Sequence, residues 1–148
     1  MKLRQATAAD LAAILALETA FPARQRWSET MWDEELSAAD RQVLVAELRE
    51  VAAVATIRLS DGVADLNRII VAEDQRKLGY GAALLSEGIQ WATGRGATRM
   101  LLEVRADNAA ARRMYDRLGF TKLACRSDYY EPGVDAVVMQ LTIREGLQ

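Results

Sequence analysis

The chain has 148 residues, of which 51% are hydrophobic and 27% are charged, and its formal net charge at pH 7 is −2. This composition is typical of a globular protein, and the length predicts a single domain over residues 1–148. The balanced charge argues against nucleic acid or an anionic membrane as the main partner. We expect neither a membrane span nor a signal peptide.

The chain contains no histidine and one cysteine, Cys125. The lack of histidine removes serine–histidine and cysteine–histidine nucleophile pairs and the usual zinc sites, so we expect no metal. Acid–base chemistry at neutral pH then falls to carboxylates, tyrosine, lysine or water. A single cysteine cannot form an internal disulfide, which fits a reducing cytoplasm.

The first half of the chain predicts two helices and four strands. A short strand over Leu3–Thr7 precedes a helix that begins at about Asp10, a candidate N-cap, and is interrupted at Phe21-Pro22. Ser28 is expected to cap a second helix. Strands with short connections follow, including the turn Ser60-Asp61-Gly62, and predict an antiparallel meander. The three strands of this meander are Gln42–Leu48, Ala52–Leu59 and Asp65–Val71.

The second half predicts two helices and three strands. A helix over Ala82–Thr93 ends at Gly94-Arg-Gly96. An apolar strand with Glu103 at its centre then leads into a helix over Asn108–Leu118. The last strands are Lys122–Ser127 and Val134–Ile143, joined by a turn at Glu131-Pro132-Gly133. The order β-α-α-β-β-β-α-β-α-β-β predicts one mixed α/β domain with a mixed sheet.

The segment Arg76-Lys77-Leu78-Gly79-Tyr80-Gly81 has the properties of a phosphate site. Its glycines allow close approach of the backbone, and free N–H groups with the helix dipole favour an anion. It is not a Walker motif, and a dinucleotide fingerprint fails because Leu84 stands at the third glycine position. A glycine-rich turn that only caps a helix explains the segment equally well.

Three motifs resemble the GNAT N-acetyltransferase superfamily. Arg76-x-x-Gly79-x-Gly81 resembles its acetyl-coenzyme-A loop, Arg/Gln-x-x-Gly-x-Gly/Ala. The run Leu101–Ala111, with Tyr115 and Leu118-Gly119-Phe120, resembles the RimI branch, which acetylates protein N-termini. The segments Asp128-Tyr129-Tyr130 and Asp135–Met139 resemble the C-terminal hairpin of that branch.

The resemblance implies the GNAT fold, in which two central parallel strands splay apart and the pantetheine of acetyl-CoA lies in the gap. By position, the backbone of Ile69, Ile70 and Val71 would bind the pantetheine amides. Residues Arg76 to Gly81 would hold the pyrophosphate, and Asn108 and Tyr115 would also contact the coenzyme. Glu103 would be the general base and Tyr115 the general acid of a direct transfer.

The residues themselves agree with these roles but leave alternatives open. Strand alternation places Glu103 on the face opposite Leu102 and Val104, where burial beside apolar neighbours would make it a better base. The alternative is an ion pair with Arg105 or a nearby arginine at a solvated strand end. Asn108 and Tyr115 share one helical face, and Asn108 is equally explained as an N-cap and Tyr115 as a core aromatic.

The acceptor is predicted to be a protein or peptide N-terminus, such as that of a ribosomal protein. At pH 7, neutralising an α-amine of pKa ~7.7 costs roughly 1 kcal/mol, against roughly 4.6 kcal/mol for lysine at ~10.4. A single glutamate suffices for the first task, which favours the α-amine over lysine or a small amine. A catalytically weak acyl-CoA-binding regulatory module is the alternative from another class. We expect a monomer or a weak dimer.

The resemblance places Trp27 on one wall of the acceptor site and Tyr129 and Tyr130 on another. The tyrosines could equally be cross-strand packing residues. The Ala23–Arg26 segment is an insertion in the family pattern, and its charge would favour acidic substrates unless it is only a solvated loop. Cys125 is expected to pack inside an apolar strand.

Overall fold

The computed structural model describes residues 1–143 as seven strands and four α-helices with short 3-10 turns. The eleven elements follow one another in the predicted order. They are β1 (Lys2–Gln5), α1 (Leu11–Glu18), α2 (Glu29–Ser37), β2 (Arg41–Glu47), β3 (Val51–Ser60), β4 (Val63–Val71), α3 (Tyr80–Gly94), β5 (Arg99–Arg105), α4 (Ala109–Arg117), β6 (Thr121–Glu131) and β7 (Val134–Thr142).

The strands form one mixed sheet in the order β1-β2-β3-β4-β5-β7-β6. The pair β4–β5 is parallel, whereas β1–β2, β2–β3, β5–β7 and β6–β7 are antiparallel. Parallel pairs run from Val63–Arg99 to Asp65–Leu101, and β4 continues beyond them to Val71. The predicted fold class, a mixed and mostly antiparallel sheet with helices, is confirmed.

Two compact units make up the chain, and the first comprises Met1–Arg58 and Asn67–Trp91. Its apolar core is formed by one face each of α1 and α2 and by alternating residues of the strands, as amphipathic spacing requires. This core contains Ile14, Leu17, Trp32, Val43, Val45, Val54 and Ile70. The core anchors the beginning of the chain to the segment that leads into α3. The single-domain organisation of residues 1–148 stays a prediction.

Asp10 occupies the predicted N-cap position of α1, but its side chain makes no cap hydrogen bond to that helix. A 3-10 turn over Ala8–Asp10 precedes it, and this turn is closed by a capping box between Thr7 and Asp10. The carboxylate of Asp10 accepts the Thr7 N–H at 2.8 Å and two hydrogen bonds from Arg4 at 2.9 Å. Asp10 therefore serves the preceding turn and makes no side-chain cap bond to α1.

The second unit comprises Leu59–Leu66 and the residues from Ala92 onward. Asp61 and Gly62 have φ values of 50° and 78° in the β3–β4 turn, as two-residue hairpins require. In β5, Met100, Leu102 and Val104 are buried and alternate with more exposed residues. Strand β7 lies between β5 and β6, so β6 is an edge strand.

Edge position explains one wrong expectation. Residues 121–129 of β6 are exposed, and Cys125 with them. Its Sγ lies 3.7 Å from Oδ2 of Asp135. The prediction that Cys125 packs inside an apolar strand is therefore wrong, because residues 121–129 of the strand are all exposed. Within residues 1–143, no helix is long and apolar enough to cross a membrane.

Candidate active site

The segment between β4 and α3 presents the N-terminus of a helix. The carbonyl of Gly79 accepts the first helical hydrogen bond, from Ala83 N at 3.0 Å, so the preceding N–H groups have no acceptor within the helix. Lys77 and Gly79 have φ values of 66° and 86°, a backbone conformation that glycine adopts without strain. Helix α3 begins at Tyr80, two residues before the predicted start. Its free amides and dipole favour an anion such as a phosphate.

The side chains of this segment divide into buried and exposed groups. Arg76 donates from Nε to the carbonyl oxygen of Val71 at 3.3 Å, which folds the segment back onto the end of β4. Lys77 and Leu78 are exposed, whereas Tyr80 is buried. The buried Tyr80 anchors the start of the helix, and Lys77 lies exposed three residues before it.

The last residues of β4 alternate as a strand requires. Ile70 is buried in the core of the first unit, whereas Ile69 and Val71 are half-buried. All three lie beyond the parallel pairs with β5, which end at Asp65–Leu101. Their backbone groups are the atoms that the predicted pantetheine contact uses.

The carboxylate of Glu103 lies on an exposed face of β5. Residue Glu103 pairs with Val138 of the neighbouring strand β7, and its side chain is 32% exposed. Arg126 of the edge strand β6 reaches it, with Nη1 3.1 Å from Oε1. The expectation that Glu103 is buried among apolar side chains is therefore wrong. The apolar neighbours in the sequence, Leu102 and Val104, point to the opposite face.

Tyr115 is buried in the second unit. Its ring centroid lies 5.9 Å from that of Phe120, with the planes at 60°. Burial raises the pKa of the Tyr115 hydroxyl well above its ordinary value, and the nearby phenol of Tyr130 raises it further. Tyr115 therefore holds its proton throughout the neutral range, as a proton donor must.

Asn108 is the N-cap of α4, in agreement with one of the two interpretations. Its Oδ1 accepts the N–H of Ala111 at 3.2 Å. This bond uses the oxygen of the amide, so a role for the Nδ2 donor in binding a coenzyme is compatible with it and stays a prediction.

Tyr129 and Tyr130 lie in a bulge of β6. Residues 127–130 stand between the paired residues Arg126 and Glu131, opposite the single residue Asp135 of β7. Asp128 stabilises this bulge, where its φ is 54°. Its backbone N–H donates to the carboxylate of Asp135 at 2.9 Å, and its own carboxylate accepts the N–H of Gly133 at 2.7 Å. The two rings are perpendicular, with centroids 5.2 Å apart.

Two arginines flank this aromatic pair, and sequence reasoning did not identify the more important one. The Cζ of Arg126 lies 5.4 Å from the Tyr129 ring centroid, and that of Arg105 lies 5.5 Å from the Tyr130 centroid. The same Arg126 binds Glu103, so one cation joins the candidate base to the aromatic pair. No local motif marks Arg126, because its position depends on the strand order β5-β7-β6.

The structure therefore brings together several of the predicted residues of the second unit. Glu103 is connected through Arg126 to Tyr129, and Tyr129 contacts Tyr130. Tyr130 in turn raises the pKa of Tyr115. The candidate base and the predicted aromatic lip therefore belong to one connected group of side chains, and the catalytic roles of Glu103 and Tyr115 stay predictions.

Trp27 belongs to the first unit and packs on its core. Its ring centroid lies 5.1 Å from that of Trp32, and its N–H donates to Oε1 of Glu18 at 3.0 Å. The preceding segment contains a 3-10 turn over Ala23–Gln25. Arg26 donates from Nε to the Phe21 carbonyl at 2.8 Å, so this arginine supports the turn. The segment is therefore a folded turn in which Ala23, Arg24 and Arg26 are exposed, and its effect on substrate choice stays a prediction.

Comparison with known proteins gives a consistent result. The sequence profile of the Acetyltransferase (GNAT) family matches residues 9–120. The [Ribosomal protein bS18]-alanine N-acetyltransferase of Escherichia coli K12 is 33% identical over 135 residues, which are 86% of this chain and 91% of that protein.

Solved structures show the same similarity over the whole fold. The crystal structure of the ribosomal-protein-S18-alanine N-acetyltransferase from Escherichia coli has a TM-score of 0.87 at 30% identity, covering 99% of this chain and 98% of that one. The ribosomal-protein-alanine N-acetyltransferase from Brucella melitensis has a TM-score of 0.84 at 25% identity, covering 97% and 100%. The chain is therefore a member of the GNAT family, an acetyl-CoA-dependent N-acetyltransferase.

Proposed function

We propose that this N-acetyltransferase acetylates the N-terminal α-amine of a protein, with a ribosomal protein as the leading candidate substrate. The observation that carries the proposal is the partly exposed carboxylate of Glu103, joined through Arg126 to the exposed ring of Tyr129. An exposed site of this kind admits the end of a polypeptide. Identity to the ribosomal-protein acetyltransferase of Escherichia coli supports the same substrate class.

Acetyl-CoA supplies the acetyl group, as a thioester. We propose that the amides at the start of α3, with Lys77, bind its pyrophosphate, since they fit an anion in charge and direction. The backbone of Ile69–Val71 and the Nδ2 of Asn108 are proposed to bind the pantetheine arm.

Glu103 is the proposed general base and Tyr115 the proposed general acid. Arg126 Nη1 lies 3.1 Å from Oε1 of Glu103 and holds the carboxylate that is proposed to take the proton of the amine. Burial keeps the Tyr115 hydroxyl protonated at neutral pH. We propose that this hydroxyl hydrogen-bonds the departing sulfur and passes its proton to it, and that the proton is then replaced from solvent. An α-amine of pKa ~7.7 loses its proton at neutral pH at a lower cost than a lysine of pKa ~10.4, so it is the acceptor that a single carboxylate can serve.

The proposal is tested with a panel of peptides that differ in their first residues. Glu103→Gln is expected to lower kcat/KM by about 10²–10⁴-fold, the usual contribution of general base catalysis. Glu47→Gln is the matched control, because Glu47 also lies on a strand, is 33% exposed and pairs with Arg4 at 3.0 Å. Wild-type enzyme that binds acetyl-CoA but acetylates no amine would instead favour a binding module.

We further propose the cytoplasm as the site of this activity. Cys125 is exposed and free, and an exposed thiol stays reduced in that compartment. The predicted monomer or weak dimer is checked by sedimentation across a range of protein concentrations.

A further inference from the structure

A carboxylate that the proposed mechanism does not use is buried at the end of α1. Glu18 is 2% exposed and accepts hydrogen bonds from three residues of the first unit. The donors are Trp32 Nε1 at 2.8 Å, the Trp27 N–H at 3.0 Å and the guanidinium of Arg68, whose Nε lies at 3.1 Å.

Arg68 completes this arrangement from β4. Its Nη2 also donates to the carbonyl oxygen of Gln25 at 2.9 Å. Its Cζ lies 4.3 Å from the Phe21 ring centroid and 5.1 Å from that of Trp27. One guanidinium thus contacts the beginning, the middle and the end of the segment from Phe21 to Trp27, which we call the acceptor segment.

Stability alone is a weak explanation for such a pair. A buried ion pair contributes little compared with apolar residues of the same size, because both charges lose their hydration. What a planar guanidinium does supply is geometry, since it binds a carboxylate through two nitrogens while it stacks on aromatic rings. Glu18 and Arg68 together fix the position of the Trp27 backbone and ring.

We propose that Arg68 is a positioning residue for the acceptor: with Glu18 it holds Trp27 and the acceptor segment in the conformation that binds the peptide substrate. The inference rests on the proposed function and on the prediction from the family resemblance that Trp27 forms one wall of the acceptor site. Arg68 directly precedes Ile69–Val71, so the strand proposed to bind the coenzyme also carries the residue that orders the acceptor segment.

The chain offers a matched control for the structural part of this role. Glu35 is 7% exposed and is bound by Arg41 Nε at 2.9 Å, Thr56 Oγ1 at 2.8 Å and Asn67 Nδ2 at 3.0 Å. This second buried pair also joins a helix glutamate to a strand arginine in the first unit. Arg41→Gln therefore removes a comparable ion pair without touching the acceptor segment.

The test compares steady-state constants for peptide and acetyl-CoA. Arg68→Gln is expected to raise the peptide KM about tenfold or more, with kcat and the acetyl-CoA KM changed by no more than about threefold. Arg68→Lys keeps the positive charge but loses the two-nitrogen contact with the carboxylate and the stacking on the aromatic rings. The peptide KM should therefore rise less in Arg68→Lys than in Arg68→Gln. Arg41→Gln should lower the melting temperature to a similar extent and leave the peptide KM unchanged.

Equal kinetic effects of Arg68→Gln and Arg41→Gln, or a change in melting temperature alone, would overturn the inference. If the wild type prefers a lysine or a small amine, the proposed function fails. The positioning role is still supported if Arg68→Gln raises the KM for that acceptor and leaves kcat and the acetyl-CoA KM nearly unchanged. If Arg68→Gln is too unstable to assay, Arg68→Lys carries the comparison. Acrylamide quenching of tryptophan fluorescence gives a readout without turnover: it should increase in the Arg68 variants but not in Arg41→Gln, and equal quenching would refute the positioning role.

Discussion

Replacing Tyr115 by phenylalanine separates its proposed acid role from its packing role. The aromatic ring remains and keeps its contact with Phe120 at 5.9 Å between centroids. Only the hydroxyl is lost, so we expect the melting temperature to change little while catalysis falls. A large loss of stability would mean that the hydroxyl serves the fold.

The size of the loss follows from the leaving group. A thiol of pKa ~8.5 leaves as an unprotonated thiolate at pH 7 at a cost of about 2 kcal/mol, since each unit of difference between the pKa and the pH corresponds to about 1.4 kcal/mol. Tyr115→Phe should therefore lower the rate of the chemical step about 30-fold at pH 7, and the deficit should shrink towards about pH 8.5. The wild type should show no alkaline loss from Tyr115 in this range, because burial raises the pKa of its hydroxyl.

Single-turnover rates of acetyl-peptide formation, measured from about pH 6.5 to about pH 9, test this reasoning. The product is quantified by mass spectrometry, because the exposed Cys125 would react with thiol reagents. A variant with wild-type rates at every pH would refute Tyr115 as the acid. A deficit that does not depend on pH would refute the leaving-group argument.

Three further predictions concern the coenzyme segment and the fold. Gly79→Ala forces a side chain into a φ of 86° and should weaken acetyl-CoA binding, measured by calorimetry, by about 1–2 kcal/mol; unchanged affinity would show that this conformation is unimportant. Hydrogen bonds from Arg4 hold the pKa of Asp10 below its ordinary value, so their stabilisation is present above about pH 4 and is lost as the pH falls further. Asp10→Asn should thus lower the free energy of unfolding by about 1–3 kcal/mol at pH 7 but not near pH 2, and an equal effect at both pH values would contradict this. In Gly88→Ala the new Cβ would lie 1.9 Å from Cδ1 of Ile57 and should cost about 1–3 kcal/mol in denaturant unfolding, which adding Ile57→Val, a change that removes that atom, should largely restore.

The order of elements could be predicted because local signals determine it. Apolar periodicity distinguishes the helices from the strands, and the turns use residues that tolerate positive φ, such as Asp61, Gly62 and Gly133. Helix α3 begins two residues before the predicted start, because Tyr80 and Gly81 already belong to it although glycine is a poor helix former.

Exposure could not be predicted from the strands themselves. Glu103 and Cys125 stand in apolar sequence, yet both are exposed, because burial depends on what covers each face of the sheet. The position of β6 at the edge is set by β7, which inserts between β5 and β6. A single sequence contains no local pattern for that insertion.

Long-range ion pairs were also outside the reach of sequence patterns. Glu18 and Arg68 are 50 positions apart, and nothing in either neighbourhood indicates the other. The same holds for Arg126 and Glu103, which meet only through the arrangement of the hairpin strands. Family resemblance indicated the candidate base, whereas the structure adds the arginine that binds it.

The most direct test of the central claim uses one peptide with a free N-terminal α-amine and one internal lysine. After incubation with acetyl-CoA at about pH 7, fragmentation in the mass spectrometer identifies which nitrogen carries the acetyl group. A second peptide with a blocked N-terminus and the same lysine serves as the control. We predict acetylation of the α-amine in the first peptide and none in the second. Acetylation of the lysine in both peptides, with the α-amine left free, would contradict the proposal.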